Sequence, residues 1–165
     1  MVQRMWEAEE FAVVPEQARK RWLEGTQLVV HETDDRDLVW TEGTSPNELV
    51  VILSGTVELE EERRHGAVVV RRLHGPSAVG WGVVSGLPHS ASGRAVGAVQ
   101  WLSISREELL RLLAATPELA LRGFLTLSGW LASASAKVKG DSPTRAGVAT
   151  ALLERFDHGR RTIFV

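Results

Sequence analysis

From residue 26 to residue 105 the apolar positions come in short runs rich in valine, leucine and tryptophan. QLVVHE (27–32), DLVWTE (37–42), ELVVILSGTVELEEE (48–62), AVVVRRLH (67–74), GRAV (93–96) and VQWLSIS (99–105) read as strands. Turn signals separate them: Asp34-Asp35, Ser45-Pro46-Asn47, Ser54-Gly55 and His65-Gly66. Leu49, Val51 and Leu53 alternate with Val50 and Ile52, so this strand is apolar on both faces, as the middle of a two-layer roll requires. Closely spaced short strands of this kind predict an antiparallel sandwich or barrel.

Helical patterns flank the strands. PEQARKRWLE (15–24) starts with proline, carries Glu16 in its first turn and stops before Gly25. REELLRLLAA (106–115) carries Leu109, Leu110, Leu112 and Leu113, and Thr116-Pro117 opens a further helix with Thr116 as its cap. Along that helix Ala120, Phe124, Leu127, Leu131, Ala134 and Val138 are spaced four, three, four, three and four apart, a seam suited to pairing with a second copy. A second line, Leu121, Leu125 and Ala132, is placed to cover the sheet, although the seam could equally pack on the chain's own strands. Gly140-Asp141-Ser142-Pro143 closes the helix. TRAGVATALLERF (144–156), with Val148, Leu152 and Phe156 on one face, and RRTIFV (160–165) then predict a short helix and a strand.

Composition narrows the function. The chain has 165 residues, 44% hydrophobic and 24% charged, enough for one domain with a buried core plus an appendage. A net charge of -2 gives no general attraction to nucleic acid or anionic membrane. The absence of cysteine excludes disulfides, zinc-thiolate sites and thiol catalysis, and points to the reducing cytoplasm. The N-terminus, MVQRMWEAEEF, has no apolar run of a signal peptide, and the most apolar window (119–136) is broken by Arg122 and serines, so no membrane span is expected.

The stretch VGWGVVSGLPHSA (79–91) concentrates glycines and small hydroxyl residues, which leave backbone N–H groups open to an anion. It resembles the phosphate-binding cassette of the cyclic-nucleotide-binding domain in the catabolite-activator (Crp/Fnr-like) family: Phe-Gly-Glu, several small or apolar residues, then Pro-Arg-Ser/Ala-Ala. LVWTEGTSPNELVVILSGTVELEE (38–61) is similar to that family's strand, SG turn and strand, and VQWLSISREELLRLLAATPEL (99–119) to its strand, helix and proline-started helix. The resemblance runs from about Thr26 to Val138. It implies a mainly β fold with flanking helices: a double-stranded β-helix, or jelly roll, of about eight strands, closed by a long C-terminal helix (about 117–138) that also dimerises. The domain is placed at 1–139, with 140–165 similar to the start of a winged-helix domain.

Within the cassette Gly80, Pro88, Ser90 and Ala91 match the family, whereas Trp81 stands at the glutamate position and His89 at the arginine position. In the family the glutamate accepts hydrogen bonds from the ribose 2′-hydroxyl and the arginine forks onto the cyclic phosphate. Indole has a donor and no acceptor, and histidine lacks arginine's permanently charged fork. Charge-assisted hydrogen bonds contribute about 1.5–3 kcal/mol each, so losing two or three should weaken cyclic AMP or GMP binding by roughly two to five orders of magnitude. Two readings stay open. Trp81 fills the core and His89 is a hydrogen-bonded loop residue, or the loop accepts another nucleotide-like or small anionic ligand, with Trp81 stacking on a ring.

Arg94 is the other candidate phosphate ligand, but on an extended chain its odd separation from His89 sends it to the opposite face. His31, His65, His74, His89 and His158 are scattered singly, which speaks against a cupin-like metalloenzyme, and no Ser-His-Asp constellation, P-loop or catalytic carboxylate pair is present. The glutamates of the 58–62 run read as solvated charges on a hairpin. The expectation is therefore a cytoplasmic, non-catalytic regulatory or sensor homodimer without cofactor or metal. It leaves room for a small-molecule effector and a protein partner. A transcription regulator with a reduced or missing reader is the alternative, since no helix-turn-helix pair is found before Val165.

Overall fold

The structure, a computed structural model, describes residues 2–44 and 47–141. Two 3-10 helices, Val2–Glu7 and Phe11–Val13, lead into helix α1 (Glu16–Glu24), which starts after Pro15 and ends at Gly25. Strands β1 (Val30–Thr33), β2 (Leu38–Trp40), β3 (Glu48–Arg63), β4 (Gly66–His74), β5 (Ser77–Val79) and β6 (Ser92–Ser105) follow, with a 3-10 turn at Trp81–Val84 between the last two. Helices α2 (Arg106–Ala115) and α3 (Pro117–Asp141) come last. Compact packing divides the chain inside α3, after Phe124.

Among the described residues every strand pairing is antiparallel. The long strands β3 and β6 run together from Glu48↔Ser105 to Glu60↔Ser92 and form the spine of the sheet. β1 and β2 lie on the two halves of β6, while β5 and β4 lie on the two halves of β3. Six strands thus stand among the described residues, fewer than the eight expected, because GRAV and VQWLSIS belong to one bent strand and Ser54-Gly55 is a bulge within β3. The reason is steric. Gly55 has φ +91°, and a Cβ there would stand 2.5 Å from the Ala98 carbonyl oxygen, so the chain bends where only glycine allows the two strands to approach. The three-residue strand β5 carried no sequence signal of its own. The fold is the antiparallel jelly roll with flanking helices that the apolar pattern and the resemblance predict.

Leu49 through Leu53 are all buried, as a strand apolar on both faces should be. Much of the remaining core comes from the N-terminal segment: Met5, Trp6, Ala8, Phe11 and Val14 are each at most 4% exposed. Trp22 of α1, Trp6, Phe11 and Trp81 make a continuous row of rings, with successive centroids 5.9, 6.1 and 6.1 Å apart.

Three expectations require correction. Glu58 and Glu60 are not solvated, being only 6% exposed each. Arg72 contacts Glu58 at 2.7 Å, Arg94 contacts Glu60 at 2.8 Å, and Arg36 reaches both carboxylates at 3.6 and 3.7 Å. Their alternation with Val57 and Leu59 puts them on the other face of β3, where cross-strand neighbours Arg72 and Arg94 supply the cations. A buried carboxylate without such partners would carry a desolvation cost of several kcal/mol.

The second correction concerns the cap of α3. The buried Thr116 Oγ has no partner, and the Leu119 N–H bonds instead to the Thr116 carbonyl. Thr116 closes α2 with its own N–H on Leu113, and its side chain is committed to the core.

The third concerns the face of α3. Leu121 is 60% exposed and does not cover the sheet, and Leu125 is 53% exposed; among the described residues of the helix Leu119 and Gly123, one turn apart, are the buried positions. The predicted helix and strand over 142–165 lie outside the described residues.

Candidate functional site: the cassette loop

β5 delivers the chain to Gly80, which adopts the left-handed conformation (φ +91°, ψ 26°) and turns it into the 3-10 helix Trp81–Val84. The Val83 N–H bonds to the Gly80 carbonyl, and the Leu87 N–H to that of Gly82. The exit is pinned to the turn between β2 and β3. His89 N–H donates to Thr44 O at 3.0 Å, Gly43 N–H donates to His89 O at 2.9 Å, and Glu42 N–H donates to the Ser92 hydroxyl. Arg106 at the start of α2 ties down the middle of the loop through the Val83 and Val84 carbonyls. The two ends close on each other, since a Cβ on Gly80 would stand 3.5 Å from the His89 ring. The structure therefore brings Gly80, Trp81, His89 and Ala91 into one loop, with Pro88 and Ser90 exposed on its rim.

Trp81 points inward. It is 2% exposed, stacked on Phe11 with an interplanar angle of 28°, and its indole N–H has no partner. On its other flank lies Gly123 of α3, where a Cβ would come within 2.7 Å of the indole. An indole this deep removes about 150–250 Å² from water, which outweighs the roughly 1–3 kcal/mol lost by an unpartnered N–H. Trp81 is thus packed among core residues.

His89 is half-buried and its ring lies 5.8 Å from that of Trp40. Burial holds its pKa below the ordinary histidine range, so near neutral pH the imidazole is uncharged and offers no Coulomb attraction to a phosphate. Arg94 is engaged elsewhere: its guanidinium binds Glu60 and the Arg36 carbonyl, in keeping with the opposite-face expectation. The other described histidines sit apart from the loop. His31 stacks on Trp101, and His74 meets the Thr56 hydroxyl. Among the described residues no three His, Asp or Glu side chains gather as metal ligands would. Two surface pockets, of about 330 and 480 Å³, lie against the N-terminal helices near Gln3 and Leu23.

Sequence reasoning missed four residues that shape this site: Phe11, Trp40, Gly93 and Gly123. Phe11 and Gly123 enclose Trp81, and Trp40 rests on Gly93. The glycines carried a signal, because each interrupts an apolar element where a Cβ would otherwise be expected. Of the proposed dimer seam, Phe124 is 65% exposed and Leu127 intermediate; the side chains of Leu131, Ala134 and Val138 lie outside the described residues.

With this geometry in hand, the chain can be set beside known proteins. Residues 30–116 match the family model of the cyclic nucleotide-binding domain, more than half of the chain, and the protein belongs to that family. Its fold is that of the catabolite activator protein of Thermus thermophilus (TM-score 0.68, 20% identity), covering 79% of this chain and 61% of that one. The sensor domain of the transcriptional regulator DNR from Pseudomonas aeruginosa is also similar (TM-score 0.64, 18% identity, 79% of this chain and 93% of that one). So is a cyclic nucleotide-binding domain from Methylobacillus flagellatus (TM-score 0.62, 18% identity, 87% and 97%). The chain thus spans about three fifths of the Thermus protein and nearly all of the two isolated domains. No curated protein matches the sequence. No helix among the described residues is long and apolar enough to cross a membrane.

Two predictions follow from the loop. Gly123→Ala should lower stability by about 1–3 kcal/mol through overpacking on the indole, and most of that loss should vanish in a Trp81→Leu background; equal losses in both backgrounds, by urea denaturation, would refute the wedge. The second concerns pH. Because folded His89 holds its proton less tightly than the unfolded chain does, its contribution to stability is intact above the unfolded value of about 6.5 and declines as pH falls toward the lower folded value. His89→Gln should flatten that decline, and the His89 ring should titrate by NMR below the ordinary range; Glu10, raised chiefly by burial, acts with the opposite sign at lower pH.

Proposed function

We propose that the protein is a non-catalytic regulatory or sensor module of the cyclic-nucleotide-binding type that binds cyclic AMP and cyclic GMP weakly or not at all. The observation that carries this reading is Trp81. At the position where the family carries a ribose-binding glutamate, an indole lies buried between Phe11 and Gly123. The neutral His89 at the arginine position adds to it, since an anionic ligand would find neither a fork nor a fixed charge.

The module acts as a homodimer through α3, passing its state to a protein partner or responding to an effector other than an ordinary cyclic nucleotide. Exposed Leu121, Phe124 and Leu125 at the start of the helix support pairing, because large apolar side chains so clustered on a surface usually mark an interface. The cysteine-free chain supports a cytoplasmic location. A second reading, the sensor half of a transcription regulator, is favoured by the 61% coverage of the Thermus activator and by the similarity of 140–165 to the start of a winged-helix domain.

Calorimetric titration of the purified chain with cyclic AMP and cyclic GMP should give dissociation constants weaker than about 1 mM, a binding energy under roughly 4 kcal/mol. Micromolar affinity for either nucleotide would overturn the reading. For the dimer, Phe124→Glu with Leu127→Glu should sediment as a monomer where the unmodified chain sediments as a dimer, and an unchanged dimer would reject α3 as the interface.

A further inference from the structure

β2 ends on Trp40, whose backbone pairs with Gly93 across a register shift after Leu38. The indole lies face-on over that glycine: a Cβ built on Gly93 would stand 2.5 Å from each of Cε2, Cζ2 and Cη2. Gly93 lies inside β6 and is buried, although a glycine within a strand weakens it and commonly marks a place where something approaches the backbone closely. Here the approaching group is the chain's own ring. Its Nε1 donates to the Ala91 carbonyl at 2.9 Å, and its other neighbour is the His89 ring, 5.8 Å away at a tilt of 31°. The indole thus bonds to Ala91 and neighbours His89 at the exit of the cassette, and it is partly exposed rather than sealed in the core.

We infer that Trp40 is a built-in occupant of the space beside the cassette exit, held where a planar bicyclic ligand with a ring N–H would otherwise sit. The space has the size of an indole, its floor is the flat backbone at Gly93, and its polar feature is a carbonyl acceptor at Ala91 that selects a ring donor. Trp40 is therefore the residue that denies the site to heteroaromatic rings. The inference rests on the functional reading above and deepens it: the loop has lost its charged anchors, and the adjoining ring space is filled by the chain itself.

The test uses the full chain with Trp40→Ala, indole and adenine as probes, and calorimetry as the readout. The unmodified protein should bind neither probe, and Trp40→Ala should bind indole at least tenfold more tightly than the unmodified protein does. Adding Gly93→Ala to that variant, which places a methyl group where the ring lay, should abolish the gain. A folded Trp40→Ala protein with no gain, or a gain that survives Gly93→Ala, defeats the inference. Gly93→Ala alone covers the case in which Trp40→Ala does not fold. In protein labelled with 5-fluorotryptophan, it should displace the Trp40 fluorine resonance while leaving that of Trp101 in place, and an unmoved Trp40 resonance overturns the inference. Micromolar cyclic AMP binding by the unmodified protein defeats the functional reading instead, so the two failures are distinguishable.

Discussion

The row of rings from Trp22 through Trp6 and Phe11 to Trp81 is the constraint on which the rest of this structure depends. It joins α1, the N-terminal 3-10 helices, the cassette and the first turns of α3, and it ends against a glycine that cannot become any other residue without moving a buried indole. Burying such a ring contributes about 4–6 kcal/mol by area, which exceeds the cost of the unpartnered N–H groups of Trp6 and Trp81. Arg19 lies over the Trp6 ring at 5.2 Å and adds a cation to the side of the row. The stretch before Pro15 thereby becomes core, although nothing in its polarity announces that.

The cassette loop is shaped by its backbone while its side chains serve packing. Left-handed Gly80, the 3-10 turn and the pinned exit at His89 hold the loop's shape through backbone hydrogen bonds that depend little on which side chains are present. The two positions that carry ligand chemistry in the family hold an indole turned inward and an imidazole left neutral by burial. Strong charge is found instead on the other face of β3, where Glu58 and Glu60 are covered by Arg36, Arg72 and Arg94. Those pairs are satisfied within the fold and hold neighbouring strands together.

Local pattern was enough wherever the determining interaction is local. The continuous apolar run over 49–53 identified the central strand, and Pro15 and Gly25 bounded α1. The cassette's glycine, proline and small residues were legible for the same reason, because a turn's φ requirements are written in the residues that make it. Where the reading went astray, the deciding partner was distant. Glu58 and Glu60 read as solvated until cross-strand arginines covered them, and the inward positions of α3 fell to Leu119 and Gly123 because Trp81, 42 residues before Gly123, packs there.

The sequence by itself thus determined an antiparallel β domain flanked by helices, through its apolar runs and turn residues, and its resemblance to the cyclic-nucleotide-binding family supplied the jelly roll, the cassette and the two exchanged positions in it. Only the tertiary structure decided what those residues do. The direction of Trp81 depends on Phe11, 70 positions earlier, and on a missing Cβ 42 positions later; the seat of Trp40 depends on Gly93 across a strand pairing. Packing between residues far apart in the chain is a property of shape and volume in three dimensions, and no local pattern encodes which ring will meet which gap.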